Sequence, residues 1–364
     1  MNYAIKPEVL REFCAKACEK FGYSPEYAAI TAEVLTESEM MGTHSHGTKN
    51  LVNYIRKGLA GGIRIDADIR ILKEGPAWAL MDADASIGMV PAYRSMELAI
   101  KKAAQCGIAI VNVKNGTHYG ASGYYACMAA KRGMVGISIS NTEPNMCIPG
   151  GRGREIGNSP FSIAFPQKSG DPLYLDIALS AVAALKIEQA KKEGRTIPDT
   201  WIVDKDGFPS TSPEAFFDGG AAQPMAAHKG YGLSMAVEIL TGVMSGGAIL
   251  HEMTSWCWDL PTPNKVSYSS VAIDISKFMD LPTFEDRLQE YIDSIHSTPL
   301  RKGSARILVP GELETARYKN ALESGILLPS DVAENLLALS ELAGLELNLE
   351  KRTECDESSG DACI

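Results

Sequence analysis

"GGRGREIGNSPFSIAFP", residues 150–166, decides whether the chain carries a Rossmann phosphate loop or a glycine-rich turn between strands. Gly151 and Gly153, with Gly157 four residues on, exceed the glycine spacing of a Rossmann phosphate loop by one residue. In that loop the glycines open a helix whose N-terminus receives a pyrophosphate. Here an apolar strand pattern, "SPFSIAFP" (159–166), follows instead. The stretch therefore reads as a glycine-rich turn between strands, and any nicotinamide cofactor must be held without the usual loop.

Outward from this turn, strands and helices mix without strict alternation. Buried strands are expected at "IAIVNV" (108–113), "MVGISIS" (134–140), "LYLDIA" (173–178) and "SSVAIDI" (269–275). Between the first two lie a turn, "KNGTHYG", and a small-residue helix over 121–132. Pro7 and Ser24-Pro25 start two amphipathic helices, and a third pattern, "TKNLVNYIRKGLAGG", begins just after Gly47. Further helices are expected over 91–105, 180–193, 230–245, 283–294, 315–324 and 329–343. The class is α/β or α+β with a mixed sheet and a substantial helical part. The polar, acidic "KRTECDESSGDACI" at 351–364 reads as a disordered tail.

Composition excludes several functions. The chain has 364 residues, 45% of them hydrophobic and 22% charged, as an ordinary globular protein does. A net charge of −10 disfavours nucleic acid or an anionic membrane surface as partner, while a small anionic substrate stays open, since local cations decide that. No leader-like N-terminus and no long apolar run are present, so a cytoplasmic location is expected. Cys14, Cys18, Cys106, Cys127, Cys147, Cys257, Cys355 and Cys363 form no CxxC pair and read as reduced thiols.

Two histidine motifs carry the chemistry. In "MGTHSHGTKN" (41–50), His44 and His46 flank Ser45 in a helix-to-helix turn. Zinc would need a third ligand, and no acidic or cysteine neighbour is in sequence position to help, so no metal site is expected. Ser45 lacks the Gly-x-Ser-x-Gly elbow of a nucleophile. Proton exchange fits better, because a helix N-terminus favours the neutral imidazole of a group that trades a proton near neutral pH. A structural turn histidine is the alternative. In "NGTHYGASGYY" (115–125), His118 follows a strand, and Gly120, Ala121 and Ser122 would let a phosphate or nicotinamide approach the backbone. Lys229 in "HKGYGL" offers a point charge for phosphate beside Gly230, or is a solvated surface lysine. Asp176, at the end of an apolar strand, suits a ribose hydroxyl, a histidine or an N-cap.

Taken together, "SHG" (45–47), "THYGASGYY" (117–125), "ISNTEP" (139–144), "IGNSPFSIAFP" (156–166), "LDIALSAVA" (175–183), "IPDTWIVDKDGFPSTSP" (197–213), "HKGYGLSMAVEIL" (228–240) and "VPGE" (309–312) resemble the type-2 malate/L-lactate dehydrogenase family, which includes ureidoglycolate, sulfolactate and diketogulonate oxidoreductases. The resemblance implies an NAD- or NADP-dependent 2-hydroxyacid oxidoreductase, a homodimer with a non-Rossmann fold. It implies a helical domain from residues 1–75 plus roughly 300–350, packed on an α/β cofactor-binding domain at 76–299. Carried over by position, His46 exchanges the proton with Ser45 relaying and Asp176 assisting, and His118 is a second candidate base. Cofactor contacts fall on His118, Gly120, Ala121, Ser122, Thr142, Asp176, Ile177, Ala178, Lys229, Gly230, Pro310, Gly311 and Glu312. Substrate contacts fall on Lys49, Asn50 and Thr142, but Asn50 stands where the family carries an arginine, and Lys49 beside it is no bidentate substitute. Leu179 replaces the family's threonine, and Trp256 and Trp258 suggest a pocket wall, an interface or core. A non-catalytic nucleotide-binding protein on the same scaffold is the competing expectation.

Overall fold

Prolines and capping side chains start the first helices where the sequence places them. A computed structural model describes residues 2–352. Strand β1 (Asn2–Ile5) leads into α1 (Pro7–Lys20) and α2 (Pro25–Met40), the latter capped by the Ser24 side chain, which accepts from the Tyr27 N–H. The histidine turn follows as two short 3₁₀ turns, His44–His46 and Thr48–Asn50, before α3 (Leu51–Leu59).

The middle of the chain builds β2 (Arg70–Gly75), β3 (Trp78–Asp82), α4 (Met89–Cys106), β4 (Ile108–Gly116), α5 (Ser122–Ala130), β5 (Met134–Ser140), β6 (Phe161–Phe165) and β7 (Leu173–Ile177). Then come α6 (Ala184–Lys192), β8 (Ile202–Val203), β9 (Pro209–Ser210), α7 (Glu214–Phe217), β10 (Ala221–Ala222), α8 (His228–Glu238) and β11 (Val266–Asp274). The chain closes with α9 (Leu281–His296), α10 (Glu312–Ser324), β12 (Ile326–Leu328), α11 (Ser330–Ala343) and β13 (Glu350–Arg352). Of the tail expected over 351–364, Lys351 and Arg352 pair with β1 instead, and residues 353–364 lie outside the described residues.

Seven strands form one open mixed sheet in the order β2-β3-β4-β11-β5-β6-β7, in which only β3 and β4 run parallel. This is the mixed, non-Rossmann arrangement that the glycine turn at 150–157 anticipates. β11 arrives late and inserts between β4 and β5, antiparallel to both. Helices α4 and α5 pack on the sheet, and one apolar cluster joins them to the N-terminal helices through Leu10, Leu35, Tyr54, Met96, Val111 and Tyr268. Small sheets β12-β1-β13 and β10-β8-β9 complete the fold. Among the described residues no helix is long and apolar enough to cross a membrane.

Several local expectations are corrected. The turn expected at 114–120 is half strand, since β4 runs on to Gly116. The helix expected from residue 180 begins at Ala184, because residues 179–181 are tied to Asn158 and Gln223. Lys229 does not precede its helix but lies in the first turn of α8.

Candidate active site

Antiparallel register gathers the site at one edge of the sheet. Gly116 at the end of β4 faces Val266 at the start of β11, and Tyr268 faces Ser140 at the end of β5. Ile177 at the end of β7 faces Phe161 at the start of β6. His118, Thr142 and Asp176 thus all emerge at the carboxyl ends of strands on the same side, although up to 58 positions separate them.

The histidine turn is shaped from below by a residue that sequence reasoning missed. Glu39, fully buried at the end of α2, holds His44 Nδ1 at 2.6 Å with one oxygen. Its other oxygen accepts from the Thr48 N–H at 2.7 Å and the Thr48 hydroxyl at 2.9 Å. Gly47 lies so close that a Cβ there would sit 2.3 Å from that carboxylate, which explains the glycine in "SHG". The expectation that no acidic neighbour stands by these histidines is therefore corrected. Among the described residues, no group of three metal-ligating side chains is gathered. The signal for Glu39 lay in "LTESEMMG", where acidic positions fall in a helical turn with no free face.

His44 is used up by Glu39, and His46 is not. His46 Nδ1 lies 2.8 Å from Ser45 Oγ, so Nε2 is the nitrogen left for a ligand. Burial lowers the His46 pKa below the usual imidazole value; Asp176 opposes this and Lys49 adds to it. Asn50, buried, donates its amide to the Ser45 carbonyl at 2.8 Å, so it closes the turn rather than facing a substrate. Lys49 pairs with Asp331 on α11 at 3.0 Å.

His118 stacks on His46 with ring centroids 5.5 Å apart and on Trp256 at 4.4 Å. Tyr54, from α3, places its hydroxyl 2.6 Å from His118 Nδ1. The Gly120 N–H also points at Nδ1, at 3.5 Å, so Nδ1 accepts and the proton belongs on Nε2. Burial, with His46 adding, pushes the His118 imidazole down to about 3. With Nδ1 accepting, Nε2–H is left as a donor for an oxygen ligand. The Asn264 side chain accepts from the His118 N–H at 3.1 Å.

Asp176 is a cap, as one of its sequence readings allowed, but for a different helix. Its Oδ2 accepts from the Gly123 N–H at 2.8 Å and its Oδ1 from Ser162 Oγ at 2.5 Å. It thus caps α5 from across the sheet, not a following helix, and supplies the negative charge which that N-terminus favours. A phosphate at Gly120–Ser122 would meet this carboxylate. The Ser122 hydroxyl is buried between Tyr119 and Ser138.

Asp176, Ala121, Pro310 and Gly311 line one cleft of ≈ 360 Å³, with Thr43, Gly123 and Tyr174. That volume is in the range of small-molecule sites. Gly311 stands at φ +90°, and a Cβ there would meet Tyr174. Glu312 turns away, accepting from the Val309 N–H and pairing with His296. Thr142 donates its hydroxyl to Asn158. Ile177 and Ala178 continue from the cleft towards α8, because Met225, just before that helix, bonds to Leu179. Gly230 is packed against Met225 and Leu179 backbone too tightly for a side chain, and Lys229 is exposed beside it. Of the tryptophans, Trp256 joins the site and Trp258 is 89% exposed.

With this geometry in place, the comparisons with known proteins agree. A family model described as malate/L-lactate dehydrogenase matches residues 5–337. Malate dehydrogenase of Pyrococcus horikoshii is 36% identical over 359 residues, 95% of this chain and 97% of that one. Ureidoglycolate dehydrogenase (NAD(+)) of Escherichia coli O157:H7 is 32% identical over 92% of this chain and 95% of its own. The solved sulfolactate dehydrogenase of Methanocaldococcus jannaschii superposes with a TM-score of 0.87 at 33% identity, covering 95% of this chain and 98% of that one. The chain therefore belongs to the malate/L-lactate dehydrogenase family. It is an NAD(P)-dependent dehydrogenase acting by hydride transfer on the 2-hydroxy and 2-oxo acid class, as the sequence resemblance implied.

Proposed function

We propose that the chain interconverts a small 2-hydroxy acid of the malate, lactate, ureidoglycolate or sulfolactate type and its 2-oxo form, with His46 exchanging the oxygen-bound proton. The stacked His46–His118 pair carries this reading; the cleft lined by Ala121 and Asp176 opens at the carboxyl ends of the same strands. Nicotinamide, when bound, supplies the hydride acceptor or donor. Ala121, Gly123, Asp176, Pro310 and Gly311 fit it: the surfaces are small, the backbone is close, and Asp176 stays exposed to accept from hydroxyls.

In oxidation His46 Nε2 takes the hydroxyl proton, and the Nδ1 proton passes to Ser45 Oγ as that hydroxyl gives its own proton to solvent, which leaves the imidazole neutral again. In reduction the proton returns from Nε2. His118 Nε2–H holds the same oxygen, and Tyr54 fixes that tautomer. Lys49, close enough to shift His46, is the cation for the substrate carboxylate once it leaves Asp331. A lysine binds it as a point charge, which admits substrates that a bidentate arginine would hold in one pose.

Among the described residues the cleft is lined by two carboxylates, Asp176 and Glu314, and by no cation, so a 2′-phosphate there would meet like charge. An assay of reduced-nicotinamide oxidation over a panel of 2-oxo acids is expected to show turnover with at least one acid and a preference for NADH over NADPH. No turnover on any acid with either cofactor would overturn the reading.

A second copy of the chain is the proposed partner. α8, the π-turn Ile239–Val243 and the next residue expose Leu233, Met235, Ile239, Leu240, Val243 and Met244, and apolar side chains gathered in this way mark an interaction face. Sedimentation is expected to give a dimer that Met244→Asp dissociates; a monomeric wild type would refute it. A cytoplasmic setting goes with this reading, and the six described cysteines lie as free thiols.

A further inference from the structure

Lys57 is fully buried, and among the described residues no carboxylate forms an ion pair with it; its ammonium is held by backbone carbonyls. Its ammonium donates to three backbone carbonyls of one loop: Asp259 at 2.5 Å, Thr262 at 2.6 Å and Ser255 at 3.4 Å. Burying an ammonium costs several kcal/mol unless its protons are all satisfied. Three carbonyls match its three donors, so the site is built for a cation with this stem.

The loop is residues 254–264, which leads into β11. It is closed at its neck, where the Thr254 hydroxyl donates to the Pro263 carbonyl at 3.0 Å and the Asn264 side chain donates to the Thr254 carbonyl. Compact loops of this kind are held by what fills them, and here the filling is Lys57. Leu260 O packs against Gly62 so closely that a Cβ there would lie 2.1 Å away, so the α3 end and the loop are fitted to each other. Glu143 is near enough to Lys57 to favour its charge, as Asp259 is.

Lys57 stands one helical turn from Tyr54 on α3, and the two serve one end. Tyr54 holds the His118 ring and lies 5.5 Å from Trp256, while Lys57 holds the loop that lays Trp256 on His118. Asn264, at the end of the same loop, holds the His118 backbone. We infer that Lys57 is a positioning residue for the substrate: its ammonium keeps loop 254–264 folded so that Trp256 walls the pocket over His118. The kinetic part of this inference rests on the dehydrogenase reading above; the structural part does not.

Hydrogen–deuterium exchange separates the two. In Lys57→Met, amides of 254–264 are expected to exchange about tenfold or more faster than in wild type, with β11 beyond Val266 unchanged. The Michaelis constant for the best 2-oxo acid is expected to rise about tenfold, kcat to change less than about threefold, and NADH affinity to hold. Trp256→Ala, which keeps Lys57, is expected to show the same rise in Michaelis constant without faster loop exchange. Unchanged loop exchange in Lys57→Met overturns the clamp, and an unchanged Michaelis constant in Trp256→Ala overturns the wall. If Lys57→Met does not fold, Lys57→Gln, which keeps an amide donor, takes its place in the exchange measurement, and unchanged exchange of 254–264 in that variant overturns the clamp. If the wild type turns over no 2-oxo acid, the dehydrogenase reading fails while the exchange result still decides the clamp.

Discussion

His46→Ala is expected to lower kcat by about 10²–10⁴-fold, the range that a positioned acid–base group contributes, with NADH affinity within about twofold of wild type. The argument is geometric before it is electrostatic. Nδ1 is taken by Ser45, so the free nitrogen is Nε2, beside the His118 ring. The pH profile adds an independent check. Burial lowers the His46 pKa below the ordinary value of 6.5, so at neutral pH the ring is mostly the neutral base that oxidation needs. Oxidation should therefore stay level from alkaline pH down through 6.5 and fall only as the pH drops through the lowered value. Reduction needs imidazolium and should gain on acidification over the same span. His118→Gln should remove neither limb, since His118 titrates only near 3. Normal turnover in His46→Ala, or an acid limb that moves with His118, would remove His46 from the mechanism.

Glu39→Ala is expected to destabilise the protein by about 2–4 kcal/mol, because each buried donor left without its acceptor costs about 1–3 kcal/mol. Four groups converge on this carboxylate: the His44 ring, the Thr48 N–H, the Thr48 hydroxyl and the Gly47 backbone. The first three would lose their acceptor. Because the same turn carries Ser45 and His46, activity should fall further than the loss of folded protein explains. Glu39→Gln keeps the shape and one acceptor and should cost less. Denaturant unfolding measures both variants, and a loss below about 1 kcal/mol in Glu39→Ala would show the carboxylate to be dispensable.

Much of the local structure is legible in the sequence, because it is written in neighbours. Met134–Ser140 is the strand expected from its apolar run, and α1 and α2 begin at the prolines and serine that announce them. β2 escapes because Arg70–Gly75 is an exposed edge strand, without an alternating apolar face. β8, β9 and β10 are two residues each, too short for any period. The motifs of the site are legible for the same local reason: "SHG" and "THYG" each sit in one turn. What joins them is not local. Tyr54 reads as one apolar position of a helix, yet its hydroxyl decides the tautomer of His118, 64 residues away. Trp256 reaches His118 only because β11 lies against β4, and a pairing of strands 150 residues apart leaves no periodic trace. Asn50 was legible as a departure from the family, and its cause is now physical: with Ser45 O to hold, its amide is an internal strut.

The late arrival of β11 also has a consequence for synthesis. Until residue 274 has left the ribosome, β4 and β5 have no common neighbour, and each presents an unpaired edge rich in valine and isoleucine. Exposed edges of this kind template pairing with other chains. The nascent protein therefore spends most of its translation with the centre of its sheet missing, and closing that gap over so long a chain segment is slow. Shielding of the first 265 residues by a holdase, or fast elongation through them, should govern how much of the protein is recovered soluble.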